Sequence, residues 1–171
     1  MPEPSKAVRE HREHAPPSVR VAVITVSDTK DEATDESGRI LRNGIEAAGF
    51  RLAHYAIVRD ETNEIRTAIE ASLRIGTDAV ITNGGTGVAR RDVTIEALAP
   101  LFEKALDGFG DLFRLLSFQK VGSASMLSRA AAGVYKGAAI FCLPGSPDGV
   151  RLAWEDLIRP ELPHLVGLLR K

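Results

Sequence analysis

Residues 19–26, VRVAVITV, form an almost unbroken apolar run that is rich in β-branched side chains. A strand with one face in water would alternate apolar and polar residues, so this run predicts a strand covered on both faces, as in a parallel sheet. Apolar residues then recur at helical spacing over residues 37–49, and Gly49 is a suitable stop signal. Together these segments predict a first β–α pair.

The β–α alternation continues along the first half of the chain. Residues 52–58 and 78–82 are predicted strands, and residues 62–75 are a predicted helix that ends at Gly76. Such alternation implies right-handed crossovers between parallel strands. We therefore predict an α/β protein with a doubly wound, mostly parallel sheet and helices on both faces, which is a three-layer α/β/α arrangement.

The second half of the chain departs from this rhythm. A short helix at 94–99 stops at Pro100, and residues 131–143 have the pattern of a β-hairpin with its turn near Lys136 and Gly137. The hairpin predicts an antiparallel edge on the sheet. The other predicted elements are a strand-like segment at 102–106, a helix at 109–118, a polar segment at 122–129 and a helix from Ser146 to about Ile158, which Pro160 and Pro163 kink or divide.

Length and composition fit one domain. A chain of 171 residues with 44% hydrophobic residues can bury a core without disulfides or structural metals. Residues 1–18 contain four prolines and many charges and show no helical or strand periodicity. We therefore predict a disordered N-terminal tail at 1–18 and a single domain at 19–171. His11 and His14 in the tail lack the carboxylate or cysteine company of a metal site.

Charge and cysteine content indicate which classes of ligand and which cellular compartment suit the protein. The 22 basic and 23 acidic residues give a net charge of −1, and aromatic residues are only 5%, which argues against a nucleic acid partner. No apolar run reaches the roughly 20 residues of a membrane span, and there is no secretory signal. The single Cys142 lies in an apolar run, where a buried thiol suits a reducing compartment. We therefore expect a cytoplasmic protein without nucleic acid or membrane contacts.

Polar and glycine-rich residues follow each predicted parallel strand. In open parallel sheets, ligands bind outside the carboxyl ends of the strands, near the point where strand order reverses. We therefore expect these residues to lie together at one sheet edge and to form the site. They are Ser27 and Asp28 after the first strand, Arg59 and Asp60 after the second, Gly84, Gly85, Thr86 and Gly87 after the third, and Pro144, Gly145 and Ser146 after residues 140–143.

Two glycine-containing turns are candidate phosphate sites. The segment NGGTG at 83–87 is neither a dinucleotide-binding fingerprint nor a Walker loop. Its glycines would let backbone N–H groups approach an anion, and Thr86 adds a hydroxyl, although a purely structural turn has the same composition. In PGSP at 144–147, Ser146 either caps the next helix, with Pro147 in the first position, or helps to receive a phosphate.

Asp60 and Asp92 are the candidate metal ligands. Two carboxylates that face phosphate-binding loops can hold Mg²⁺, which prefers oxygen ligands and often bridges carboxylates to substrate phosphates. The alternative is that Asp92 is an ordinary helix cap and Asp60 a turn residue. Arg90 and Arg91 either neutralise phosphate charge or are solvated on the surface. Trp154 shares a helical face with apolar residues, so we assign it to the core.

Six short motifs occur in a fixed order along about 150 residues of the chain. They are SDT at Ser27, DESG at Asp35, NGGTGVARRD at Asn83, GFG at Gly108, LSRAAAG at Leu127 and LPGSP at Leu143. Each motif alone is weak, but the ordered set resembles the MoaB/MogA family of molybdenum cofactor biosynthesis proteins. The stretch from Leu112 to Ser146 is more similar to the MoaB branch.

The resemblance implies adenylylation of molybdopterin by Mg-ATP, which yields adenylylated molybdopterin and pyrophosphate and prepares metal insertion. Asp60 and Asp92 match the acidic residues of the family, so they would act on Mg²⁺ and the reacting phosphates. The same match assigns five residues to the phosphates of ATP, namely Gly84, Gly85, Thr86, Gly87 and Ser146, and Pro144 and Gly145 lie in the same turn as Ser146. It places four others near the pterin, namely Ser27, Asp28, Ser128 and Arg129.

The resemblance also implies partners and leaves one alternative function. Family members form trimers, and the MoaB branch forms hexamers, so we expect a homo-oligomer. The apolar residues Phe109, Leu112, Leu115 and Leu116 predict surface that a partner copy would cover. The metal-insertion enzyme of the same pathway is a further expected partner.

The alternative function is a catalytically silent molybdopterin-binding or carrier protein. Retention of both Asp60 and Asp92 favours the enzyme, and a generic nucleotide binder is disfavoured by the missing fingerprints. Two residues depart from the family pattern. Asn83 stands where Ser or Thr is usual, which removes one hydroxyl, and Val88 replaces a frequent Pro or aromatic residue.

Overall fold

A six-stranded mixed sheet forms the centre of the protein. The computed structural model describes residues 18–171, so the predicted tail lies outside the described residues except for the exposed Ser18. The sheet order is β2-β1-β3-β6-β5-β4. The strands β1, β2, β3 and β6 run parallel, whereas β5 is antiparallel to β6 and to β4, as the sequence predicts. The strands are β1 (Arg20–Val26), β2 (Arg51–Val58), β3 (Ala79–Asn83), β4 (Lys104–Ala105), β5 (Ala131–Tyr135) and β6 (Ala138–Leu143).

Strand order reverses at β1. From β1 the chain crosses to β2 on one side and then to β3 on the other, which creates a crevice at the carboxyl ends of β1 and β3. The register pairs Thr25 with Asn83 and Asn83 with Leu143, so three strands end at the same level. The loops after β1, β3 and β6 therefore meet at one edge.

Within residues 18–171, six α-helices cover the sheet. They are α1 (Glu36–Ala47), α2 (Thr62–Arg74), α3 (Thr94–Leu98), α4 (Asp107–Val121), α5 (Pro147–Leu152) and α6 (Arg159–Leu169), with 3-10 turns at Ala99–Leu101 and Gly122–Leu127. The predicted strand at 102–106 contracts to two residues. The predicted polar segment at 122–129 contains a 3-10 helix, and the π-helical turn Ala153–Ile158 joins α5 to α6.

The C-terminal helix continues beyond the predicted end near Ile158. A π-helical turn lies immediately before α6, whereas Pro163, which was expected to kink or divide the helix, lies inside α6. Pro160 lies in the first turn of α6 and directly follows the π-helical turn. The chain therefore stays helical to Leu169 and keeps packing against the sheet.

The core consists of one apolar layer on each sheet face. Val21 and Val23 of β1 face α1, α4 and α6, and Ala22 and Ile24 face α2 and α3. Trp154 is 3% exposed and packs edge to face on Phe50, with ring centroids 6.2 Å apart, which confirms its place in the core.

Cys142 is fully buried and unpaired, as the sequence predicts. Burial raises the pKa of its thiol to about 12, so the nucleophilic thiolate is not populated at neutral pH. No helix within residues 18–171 combines the length and apolar character needed to cross a membrane.

Helix α4 leaves an apolar face uncovered. Leu112, Leu115 and Phe118 are 50 to 58% exposed. Phe109 and Leu116 were expected at this surface, but both pack against the core, where Phe109 contacts Phe141 at a centroid distance of 5.3 Å. The α4 face, as we call it, consists of Leu112, Leu115, Phe118 and Val121 and continues into Met126 and Leu127 of the following 3-10 helix.

We predict that a second copy of the chain covers the α4 face. Sedimentation at micromolar concentration should show a closed homo-oligomer, because contiguous exposed apolar surface is costly in a monomer. Phe118→Glu should shift the protein to smaller species without loss of secondary structure. Ile75→Glu is the control, since Ile75 is 45% exposed but lies outside this face. A monomeric wild type would contradict the prediction.

Candidate functional site

A cleft of about 890 Å³ opens at the carboxyl edge of the sheet. One wall is the glycine loop at residues 84–87, and the turn at residues 144–146 lies beside it. The opposite wall comes from the end of α4, which includes Lys120, from the 3-10 helix and from Ser128 directly after it. The expected convergence of the loops after β3 and β6 is therefore present.

The glycine loop requires its first two glycines. Gly84 and Gly85 have φ angles of +100° and +64°, in the region that disfavours side chains. A Cβ on Gly84 would lie 2.2 Å from the carbonyl oxygen of Val26, and one on Gly85 would lie 2.3 Å from Oγ1 of Thr94. The loop backbone thus packs directly on β1 and α3.

Thr94 holds this loop in place. Its Oγ1 donates to the carbonyl oxygen of Gly84 at 2.9 Å, and its backbone N–H donates to the carbonyl oxygen of Gly85 at 2.9 Å. The N–H of Gly84 donates to the carbonyl oxygen of Leu143 in β6. Thr94 is fully buried, so these bonds are shielded from water. Sequence reasoning missed Thr94, which looks like an ordinary helix residue.

The N–H groups of the next three loop residues are not used to hold the loop in place. Among residues 18–171, no acceptor pairs with the N–H of Gly85, Thr86 or Gly87. All three residues line the cleft. Successive unpaired backbone donors at a strand end form a concavity suited to an anion. The loop therefore has a feature that a purely structural turn does not need.

The turn after β6 is a helix cap that touches the glycine loop. Ser146 is the N-cap of α5, and its Oγ accepts a hydrogen bond from the N–H of Gly149 at 3.3 Å. Ser37 Oγ donates to the carbonyl oxygen of Gly145 at 2.8 Å. A Cβ on Gly145 would lie 3.3 Å from Cα of Gly84. The capping reading of Ser146 is confirmed, and the residue also lines the cleft beside Pro144.

Three carboxylates gather beside the glycine loop. The N–H of Asp60 donates to Oδ1 of Asp28 at 3.2 Å, and Oδ1 of Asp60 lies 2.8 Å from the position of a Cβ on Gly85. Oδ2 of Asp92 accepts from the N–H of Ala89 at 2.9 Å and would meet a Cβ on Gly87 at 2.6 Å. Partial burial, followed by the negative charges of Asp28 and Asp92, raises the pKa of Asp60 above its usual 3.8.

Neither candidate metal ligand is a helix cap. The N-cap of α3 is Val93 and that of α2 is Glu61, so Asp92 and Asp60 both lie one residue before the cap. Asp92 instead closes the turn at residues 89–92 through its bond to Ala89. Its carboxylate lines the cleft.

Arg91 is exposed to solvent and is also engaged with acidic side chains. Its Nε and Nη2 donate to the two oxygens of Asp28 at 2.7 and 3.0 Å, and its Nη1 donates to Glu61 at 2.7 Å. The hydrogen bond from Arg91 lowers the pKa of Asp28. Arg91 thus joins the loops after β1 and β2 to the turn that carries Asp92.

Ser128 and Arg129 face different surroundings. Ser128 lines the cleft. Arg129 lies outside it, in a shallow depression with Glu96, and donates through Nε to the carbonyl oxygen of Thr86 at 3.1 Å. Of the two residues expected near the pterin in this segment, only Ser128 borders the large cleft.

A buried polar network lies beneath the edge. Asp35 is 3% exposed and accepts hydrogen bonds from Thr25 Oγ1 at 2.6 Å, Tyr55 OH at 2.7 Å and the N–H of Gly38 at 2.9 Å. Asn83 Nδ2 donates to Thr25 Oγ1 at 3.0 Å, so the residue that departs from the family pattern is part of this network. Burial and the bond to Asp35 raise the pKa of Tyr55.

A smaller cavity of about 290 Å³ borders this network. Ser27, Lys30 and Ser37 line it, so Ser27 is next to the glycine loop but not in the large cleft. Ser27 Oγ accepts from the N–H groups of Thr29 and Lys30, which fixes the loop after β1. The DESG motif was the only sequence signal for Asp35, whose capping role at α1 the structure reveals.

Comparison with known proteins gives consistent matches across the chain. Residues 22–164 match the family model described as a probable molybdopterin binding domain. Molybdenum cofactor biosynthesis protein B of Bacillus subtilis (strain 168) is 50% identical over 167 residues, covering 96% of this chain and 98% of the relative. The corresponding protein of Halalkalibacterium halodurans is 46% identical over the same length, with the same coverage of both chains.

Solved structures agree with the sequence matches. A crystal structure of a molybdenum cofactor biosynthesis protein B has a TM-score of 0.88 and 44% identity, covering 91% of this chain and 98% of that one. The tungsten cofactor synthesizing protein MoaB from Pyrococcus furiosus has a TM-score of 0.85 and 38% identity, covering 92% and 100%. The chain therefore belongs to the MoaB/MogA family of molybdenum cofactor biosynthesis proteins.

Proposed function

We propose that this protein adenylylates molybdopterin with ATP and Mg²⁺, as preparation for metal insertion. The observation that carries the proposal is the run of unpaired N–H groups at Gly85, Thr86 and Gly87, which lies in the cleft next to Asp60 and Asp92. Backbone donors hold phosphate, and carboxylates organise the cation that accompanies it. The volume of the cleft is in the range of cofactor sites.

The residues present fit Mg²⁺. Asp60 and Asp92 offer oxygen ligands. Partial burial and then the negative charges of Asp28 and Asp92 raise the pKa of Asp60, and a cation would relieve the repulsion between these carboxylates. Within residues 18–171, no three His, Cys, Asp or Glu side chains converge as a complete metal cage. Mg²⁺ is commonly held by one or two carboxylates, with substrate phosphates and water supplying the other ligands. When bound, the ion would neutralise charge on the reacting phosphates.

The proposed step joins two polyanions. A terminal phosphate oxygen of molybdopterin attacks the α-phosphorus of ATP, and the bond between that phosphorus and the oxygen bridging to the β-phosphate breaks, so that pyrophosphate leaves. The N–H groups of residues 85–87 orient the nucleotide phosphates, while Ser128 in the cleft and Ser27 in the adjoining smaller cavity contact the pterin side. No protein nucleophile is needed, since positioning and electrostatic stabilisation account for the rate.

A catalytically silent carrier is the second candidate, because the same cleft would bind pterin without chemistry. The presence of both Asp60 and Asp92 beside the phosphate loop favours the enzyme. A carrier does not need a pair of repelling carboxylates at its ligand. In either case the metal-insertion enzyme of the pathway is the expected recipient of the pterin that this protein binds.

The direct test is incubation of the purified protein with molybdopterin and Mg-ATP. We expect adenylylated molybdopterin and pyrophosphate in equal amounts, detected by mass spectrometry and a coupled pyrophosphate assay. Omission of either substrate is the control. Tight pterin binding without product would support the carrier instead.

Loss of either carboxylate should abolish most of the transfer. We expect Asp60→Asn and Asp92→Asn each to slow single-turnover adenylyl transfer about 100-fold, which corresponds to about 3 kcal/mol of lost transition-state stabilisation. Asn at position 92 can still accept from Ala89, so the turn should survive. Molybdopterin affinity should change less than about twofold. Asp156→Asn, at an exposed site, is the control, and near wild-type rates in both variants would refute the assignment.

Replacement of Gly85 should weaken ATP binding. Any side chain there would collide with Thr94 Oγ1 and Asp60 Oδ1, and φ is positive, so the loop must shift its N–H groups. We expect Gly85→Ala to lower ATP affinity at least about tenfold by calorimetry, with the sheet intact by circular dichroism. Gly108→Ala is the control, because a Cβ there meets no atom within 4 Å. Unchanged ATP affinity in Gly85→Ala would show that the loop does not bind phosphate.

Partial burial and the neighbouring negative charges disfavour ionised Asp60, so its replacement by a neutral residue should stabilise the folded protein. The raised pKa of Asp60 means that the folded protein binds this proton more tightly than the unfolded chain does. Deprotonation of Asp60 therefore lowers stability as pH rises through the raised pKa. Asp60→Asn should unfold at a higher temperature than wild type at pH 7, and the gain should shrink as pH falls through that pKa. A lower melting temperature for the variant at pH 7 would contradict this account.

A further inference from the structure

Arg129 forms hydrogen bonds to the glycine loop from the side that faces away from the cleft. Its Nε donates to the carbonyl oxygen of Thr86 at 3.1 Å, and its Nη2 donates to the carbonyl oxygen of Asp92 at 3.4 Å. Nη1 and Nη2 also donate to the two carboxylate oxygens of Glu96 in α3, the latter at 3.2 Å. All three guanidinium nitrogens are therefore used within the protein.

The bond to Thr86 fixes the direction of a neighbouring N–H. In a trans peptide, the carbonyl and the following N–H point in opposite directions. No peptide bond within residues 18–171 is cis, so the N–H of Gly87 points away from Arg129 when the Thr86 carbonyl points toward it. Gly87 lines the large cleft, whereas Arg129 lies in the depression beside it. Arg129 thus turns this N–H away from its own side of the loop.

Arg129 also holds the far end of the same turn. Its bond to the Asp92 carbonyl oxygen joins the two ends of the segment at residues 86–92, which carries the Asp92 carboxylate. Glu96 pairs with the guanidinium and balances its charge. A planar fork can serve a carbonyl and a carboxylate at once, while a lysine ammonium cannot reproduce that geometry.

We propose that Arg129, held by Glu96, is a positioning residue that aims the Gly87 N–H and sets the place of Asp92 without touching the ligand. The identity of the anion rests on the proposed function, but the bracing of the loop does not. This assignment replaces the pterin contact that the family resemblance implies for Arg129. We therefore expect loss of the Arg129 guanidinium to make the glycine loop less ordered and, at the same time, to weaken ATP binding.

The test compares Arg129→Gln and Arg129→Lys in the full-length protein. Hydrogen exchange measured by mass spectrometry reports on the segment at residues 84–94, where the N–H groups of Ala89, Asp92 and Thr94 are bonded. Calorimetry reports ATP affinity. We expect exchange in this segment to rise about tenfold and ATP affinity to fall about tenfold in both variants, because each loses bonds from a charged donor. Exchange in β1 should stay unchanged.

Arg170→Gln is the matched control. Arg170 forms a similar ion pair with Asp78 at the opposite end of the sheet, so its loss removes the same charge without touching the loop. Glu96→Gln should give an intermediate effect, because Arg129 stays but its anchor weakens.

Three results would overturn the proposal. Unchanged hydrogen exchange at residues 84–94 in Arg129→Gln would show that the loop stays ordered without the hydrogen bonds from Arg129. Weaker ATP binding without faster exchange, restored by Arg129→Lys, would show that the residue contacts phosphate directly through its charge. Equal effects in Arg170→Gln would show a general loss of charge. If the wild type bound no ATP at all, the proposed function would fail, but the exchange data would still decide the bracing role.

Discussion

The backbone of Gly84 lies directly against the last carbonyl of β1, and the rest of the site depends on this contact. A Cβ on Gly84 would lie 2.2 Å from the oxygen of Val26, so only glycine allows the loop after β3 to reach β1. The same residue donates to Leu143 of β6, which ties three parallel strands together at their carboxyl ends. The unpaired N–H groups of the following residues and the neighbouring carboxylates take their positions from this backbone.

Some charged side chains at this edge of the sheet are paired with an opposite charge, and others are not. Arg91 neutralises Asp28, and Glu96 neutralises Arg129, whereas Asp60 has an acidic neighbour on either side. A protein selected only for stability would not retain a carboxyl group whose ionised form is disfavoured by its surroundings. The proposed Mg²⁺ would compensate this negative charge, which otherwise repels the phosphates of the proposed substrates.

The strands, the hairpin and the ligand-bearing edge could be predicted because their signals are local. The run at residues 19–26 is apolar on both faces, and Lys136 and Gly137 both have positive φ, as a two-residue hairpin turn requires. The partners that hold the site could not be predicted, because they are far apart in sequence. Arg129 reaches Thr86 across 43 positions. The prediction of which α4 residues are exposed was wrong for Phe109, because its position depends on its contact with Phe141, a residue distant in sequence.

The most direct test of the account is a crystal structure of the protein with Mg²⁺ and α,β-methylene-ATP, whose methylene bridge blocks transfer of the adenylyl group. We expect phosphate oxygens to accept hydrogen bonds from the N–H groups of Gly85, Thr86 and Gly87, and the ion to lie between these phosphates and the carboxylates of Asp60 and Asp92. A nucleotide bound elsewhere, with those N–H groups left to water, would contradict it.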